Sequence, residues 1–405
     1  MRFKEIALLC MLSLLSSCHT SVKKDTEIVH TLRTPAGMGS FFPSLVAHPE
    51  GAWLTWMQKT NDTVVALKYA VLKGETWESE ETIVQGTDWF VNWADFPSIA
   101  IQNQNLLAHT LQKSSSGTYS YDIKLHLLPK NEEMWQINMP LHEDNTPTEH
   151  GFVTMLPYRE NSFFVTWLDG RHTAQGGEHE HHGAMSLRSA EVLTTGEVIG
   201  ETLLDARTCD CCQTTAAITK NGPVVLYRDR SEDEIRDISI VRWVHGAWTA
   251  PQPIYNDNWQ INGCPVNGPK AAARDTNLAV AWFSAADANP TVKVVFSSDG
   301  GAHFDTPITV SEKQTIGRVD VVFIDDDTVV VSYMETGEEG AYLKAVKVPR
   351  SGTIATPMLV TKMDASRSSG FPQMELVDHR LIFAWTATDK KQPEVKMAAI
   401  RIEDM

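Results

Sequence analysis

The 405-residue chain has no cluster of basic residues. It carries 35 Lys and Arg against 51 Asp and Glu, a net charge of -16. Phosphate binding requires a cationic footprint, so nucleic acid is excluded as a partner. The acidity says little more, since a net charge far from zero mainly serves solubility. Long apolar runs are missing too: after residue 18, nothing is long and apolar enough to span a bilayer as a helix. Cysteine is scarce. There are six, and Cys10 and Cys18 fall within the first 18 positions. Nothing in the sequence requires a cofactor.

The first residues read as a targeting segment. Arg2 and Lys4 form a positive start, and Ile6 to Leu15 a short apolar stretch. Leu15-Ser16-Ser17-Cys18 resembles the lipobox of bacterial lipoproteins. The resemblance implies a signal peptide at 1–17, acylation of Cys18, a lipidated tether over 18–26 and a folded domain over 27–405. An acylated terminus with several chains holds a protein at a membrane without a spanning helix. The expected protein is an exported bacterial lipoprotein, periplasmic or at the cell surface, that touches the membrane only through its lipid. Cys209, Cys211, Cys212 and Cys264 then meet oxidising conditions, where disulfides are the default.

The chain repeats itself seven times. A short apolar strand passes through a turn into a second strand that ends on an aromatic residue or its stand-in. The second strands end at Trp56, Thr110, Trp167, Tyr227, Trp282, Tyr333 and Trp385. The interval of about 50 to 60 residues suits four-stranded propeller blades. Third strands follow in every unit, and several alternate apolar and polar residues as a strand with one buried face does. The last unit lacks a fourth strand, and residues 27–32 supply one. Pairing them with 394–402 closes the ring and removes the exposed edges of an open sheet. The expected fold is all-β: a single propeller of seven four-stranded blades, six if the second unit is not a full blade. A monomer is expected.

Ser297, Asp299, Gly301 and Phe304 match the Asp-box pattern S-x-D-x-G-x-x-F. In this motif and in the repeat, the chain resembles the BNR-repeat and sialidase propellers. The resemblance implies that the box is a structural turn away from any active site. It also implies a possible chemistry: three arginines on a substrate carboxylate, a tyrosine nucleophile assisted by a glutamate, and an aspartic acid/base. The sequence departs from that family in lacking the Arg-Ile-Pro signature, in having one intact box, and in repeating seven times rather than six. Catalytic residues are left unassigned.

Propeller topology sorts the remaining motifs. Loops before the first strand of a blade and loops after its second strand surround the same channel mouth. Five segments fall there. They hold Arg171 and His172; Cys209, Cys211 and Cys212; Arg228, Asp229, Arg230, Glu234, Arg236 and Asp237; Cys264; and Arg318 and Asp320. The arginines and acids are candidate ligand-binding residues, because arginine suits bidentate carboxylate recognition. They are equally suited to an internal salt-bridge network. The cysteines offer a disulfide from Cys264 to one of the other three, a thiolate site for a soft transition metal, or a redox pair. His172 with His179, His181 and His182 offers imidazoles to a metal, or a solvated insertion. Three functions follow: a surface protein binding an anionic small molecule or glycan at the channel mouth, a sialidase-like glycoside hydrolase, and a metal-binding or thiol-redox lipoprotein.

Overall fold

The computed structural model describes residues 28–173 and 183–405. The leader, Cys18, the tether and His179, His181 and His182 lie outside the described residues. Seven antiparallel sheets succeed one another along the chain. Their inner strands are Ser40–His48, Ile99–Gln102, His150–Pro157, Thr215–Thr219, Lys270–Arg274, Thr315–Phe323 and Gln373–Val377. Each is followed by second and third strands moving outward, and in the first six sheets by a fourth, so the count is seven and the second unit is a full blade.

The last blade is completed from the other end of the chain. His30–Leu32 pairs antiparallel with Glu394–Arg401, His30 opposite Ala399 and Leu32 opposite Met397. Three residues make the closure, fewer than the six the sequence offered.

The apolar core is divided into seven clusters, one for each pair of adjacent blades. Every sheet is therefore covered on both faces. This is why second strands such as Ser162–Asp169 are buried at every position instead of alternating. The aromatic residues ending the second strands sit in these seams. Trp56, Trp167, Tyr227, Trp282 and Tyr333 are fully buried. Their polar ends find partners where the fold supplies one: Trp167 Nε1 donates to Asp169 at 2.9 Å and Trp282 Nε1 to Asp257 at 2.6 Å. Thr110, the exception, is also fully buried, and its hydroxyl pairs with the His126 ring at 2.9 Å. A Thr–His pair occupies the place of one large ring.

The segment Ser297 to Phe304 makes the turn between the third and fourth strands of blade 5. Ser297 Oγ accepts from the Gly301 amide at 2.9 Å, Asp299 accepts from the His303 amide at 3.0 Å, and Phe304 packs into the seam between blades 4 and 5. All of this is remote from the channel.

Replacing Trp282 by alanine should empty the seam between blades 4 and 5 and cost about 3–5 kcal/mol. Urea denaturation measures it. A loss under about 1 kcal/mol, the level of an ordinary substitution, would mean that the second-strand aromatics do not carry the seams.

Candidate functional site

Blade 4 opens with a tight turn ahead of its inner strand. The Thr208 amide donates to Met185 O at 2.8 Å and the Cys209 amide to Arg228 O at 3.0 Å. These bonds fix the turn on which three cysteines are carried. Cys209 and Cys212 are buried and Cys211 is half-buried. Cys209 Sγ lies 3.6 Å from Cys212 Sγ and 3.9 Å from Cys211 Sγ. The blade 5 segment carrying Cys264 packs directly on this turn. That approach depends on Gly268, where an added Cβ would stand 2.0 Å from Gln213 O. Cys264 stands near Cys211 on the solvent side, outside the close group of three sulfurs.

The expected disulfide from Cys264 to one of the three is not made: all four thiols are free. A disulfide needs sulfurs about 2.05 Å apart. The turn instead gathers Cys209, Cys211 and Cys212 at nearly twice that separation, around a common point. Its sulfur contacts with Cys211 and Cys212, together with the Arg236 charge, hold the Cys209 thiol well below its ordinary range. Burial pushes Cys212 up to about 12.

The arginines all have acceptors within the protein. Arg228 is buried and donates to Asn267 O at 2.8 Å, Phe283 O at 2.7 Å and Arg236 O at 2.6 Å, so it clamps the Cys264 segment to blade 4. Arg230 pairs with Glu234 at 2.7 Å and Asp210 at 3.2 Å. Arg236 pairs with Glu234 at 2.7 Å and donates to Cys209 Sγ at 3.1 Å. Arg171 grips Asp169 with two bonds of 2.7 Å and Glu201 at 3.0 Å. Arg318 donates to Ser369 Oγ at 2.6 Å and to the carbonyls of Gly370, Ser366 and Ala365. Asp229 accepts from Ser239, Asp237 from the amides of Asn258 and Trp259, and Asp320 from those of Val321 and Met374. Thus Arg230, Glu234 and Arg236 converge with the cysteines. Arg171 and Arg318 belong to separate networks.

His172 is exposed, beyond Arg171. Two buried histidines beneath it had no sequence signal. His142 pairs with Asp144 at 2.7 Å, His150 meets the same carboxylate at 3.2 Å, and the two rings stack at 3.9 Å.

Residues 87–98, joining blades 1 and 2, cross the channel mouth. Trp93 stacks on Phe371 of blade 7 at 5.5 Å, under the Arg318 guanidinium at 5.1 Å. Ala94 O accepts from Gln213 of blade 4 at 2.7 Å, and Asp95 accepts from the Phe152 amide of blade 3 at 2.8 Å. Asp95 also meets the Tyr121 hydroxyl, which donates to Glu149 at 2.6 Å. Sequence reasoning passed over this span. Its signal was available in the aromatic run Trp89, Phe90, Trp93 and Phe96, which lies before an inner strand as the cysteine segments do.

Below the span lies a cavity of about 730 Å³ bordered by all seven inner strands. Lys270, Asp320 and Glu375 interact within it. Because sheets stand radially in a propeller, the inner edge of each presents unpaired backbone N–H and C=O groups to this lumen.

Burial raises Asp95 to about 8, Glu149 to about 7 and Glu375 to about 8. In the unfolded chain such carboxyls titrate near pH 4. Their folded pKa values lie above the unfolded ones, so their contribution to stability is complete below about pH 4 and is lost as pH rises through 7 and 8. Thermal unfolding should therefore move to lower temperature between pH 5 and pH 8.5, and Asp95→Asn should flatten the slope. An identical slope in the variant would show that Asp95 ionises freely in the folded protein.

No protein-family model and no curated protein matches this chain. Solved structures do resemble it. The polysaccharide lyase Uly1 superposes with a TM-score of 0.54 at 8% identity, covering 92% of this chain and 92% of that one. The NanB sialidase from Streptococcus pneumoniae gives 0.48 at 13% identity, covering 93% of this chain and 71% of that one. The Penicillium chrysogenum alpha-L-arabinanase gives 0.48 at 11% identity, covering 93% and 98%. At these identities, what this chain has in common with the lyase is its β-propeller fold.

Proposed function

We propose that this protein is an exported, lipid-anchored propeller that binds a neutral glycan in its lumen. The observation that carries the reading is the cavity of about 730 Å³ bordered by seven strand edges. It falls within the range of about 300–1,000 Å³ typical of ligand pockets. Ser98, Thr154, Thr215 and Gln373 bring hydroxyls and an amide to its wall, between small apolar residues such as Ala100 and Ala272. A sugar ring presents the same alternation of hydroxyls and C–H faces. In the lumen the Lys270 charge is opposed by Asp320, which disfavours an anion. So does the engagement of every candidate arginine with protein acceptors. The aromatic span covers the mouth, and the cavity runs down to Pro157, Ile218 and Arg274 at the far ends of the inner strands. That face is the route by which a ligand enters under a covered mouth. The fold shared with a polysaccharide lyase agrees with a carbohydrate ligand.

Calorimetry of the mature chain against neutral xylo-, arabino-, manno- and gluco-oligosaccharides tests this reading. Ser98→Trp, which fills the lumen, should weaken binding at least tenfold, a change of about 1.4 kcal/mol. Arg230→Ala, outside the lumen, should leave it unchanged. Unaltered binding by Ser98→Trp, or binding of acidic oligosaccharides alone, would reject a neutral-glycan lumen. Anchoring is tested separately with a clickable fatty acid fed to expressing cells: the wild type should be labelled and Cys18→Ala should not. Equal labelling of the two, or none in either, would remove the anchor from the proposal.

A further inference from the structure

Four cysteines in an exported chain should oxidise in pairs. Here they stand together as free thiols, three within one turn of six residues and one on the next blade. The separations suit another chemistry. Four sulfurs around a Zn(II) ion, each at about 2.3 Å, lie about 3.8 Å from one another when the arrangement is tetrahedral. The separations of 3.6 and 3.9 Å bracket that value. The Sγ atoms of Cys209, Cys211 and Cys212 all lie within 4.8 Å of one another, as ligands of one ion must.

The surroundings are those of a ligand set rather than of spare core thiols. Arg236 donates to Cys209 Sγ at 3.1 Å, a charge-assisted bond that favours the thiolate. Arg236 is itself aimed by Glu234, which Arg230 holds in turn. Second-layer partners of this kind orient metal ligands and tune their basicity. Arg228 and Gly268 press the Cys264 segment onto the turn. Three ligands are thus fixed by the fold, and Cys264, exposed and outside that group of three, is left to close the site from solvent.

We propose that Cys209, Cys211 and Cys212, closed by Cys264, bind one soft closed-shell metal ion, Zn(II) or Cu(I), at the seam between blades 4 and 5. An all-sulfur set selects these ions over hard cations. The glycan reading neither requires this site nor depends on it.

The test uses the full mature chain, isolated anaerobically and loaded with Zn(II) or with Cu(I), then freed of excess metal. One ion per chain should remain, with sulfur as the only neighbour in X-ray absorption, and competition between the two ions identifies the preferred one. Cys211→Ser should lower affinity more than a hundredfold. Arg236→Gln should lower it about 10–100-fold, the usual effect of losing a second-layer partner. Cys264→Ser changes an exposed residue, so circular dichroism should show an intact fold while affinity still falls. A His179→Ala/His181→Ala/His182→Ala variant should keep its ion. The proposal is overturned if the isolated chain holds Cys209, Cys211, Cys212 or Cys264 in a disulfide. It is also overturned if nitrogen or oxygen neighbours dominate, if metal loss follows the histidines, or if the cysteine variants bind as the wild type does.

Discussion

Each of the seven sheets is buried on both faces by its neighbours, and all of them are so covered only while the ring is complete. The pairing of His30 to Leu32 with Met397 to Ala399 closes the last sheet, and the seam between blades 1 and 7 packs beside it. Closure matters to the whole ring, because opening one seam leaves two sheet faces bare. The seams then fix where each blade begins, and so where every loop at the mouth stands.

That placement brings together chemistry the chain keeps far apart. The turn at 208–213, the charged loop at 228–237 and the segment at 263–269 meet at one seam. Arg228 is the common member: its backbone carbonyl holds the Cys209 amide while its guanidinium holds Asn267 O. The arginines work as fasteners for loops, and the open space lies in the lumen beneath them.

Much of this was legible in the sequence. Seven repeats could be counted because Trp56, Trp167, Trp282 and their equivalents recur at the end of a mostly apolar strand. Topology then predicted that cysteines and arginines from different blades would share one face, and Cys209, Cys264, Arg230 and Arg236 do. The partners of the arginines were not legible. Arg228 and Arg318 bond main-chain carbonyls, and a carbonyl is present at every residue, so no pattern of side chains announces it. The free thiols were hidden for a different reason. Compartment chemistry favours pairing, whereas the separation of the sulfurs is set by a turn whose shape depends on bonds to Met185 and Arg228. Asp95 and Glu149 were missed because their raised pKa values come from burial, which no local pattern of residues announces.

The span of residues 87–98 also has a mechanical consequence. A ring whose members touch only their neighbours flattens into an ellipse at low cost, since every seam needs to hinge by only a few degrees. Trp93, Ala94 and Asp95 reach blades 7, 4 and 3 from the junction of blades 1 and 2, with Arg318 of blade 6 stacked on the indole. They act as spokes. Squeezing the circle along any diameter must stretch at least one of them, so the bore keeps its round cross-section even when individual blades fluctuate.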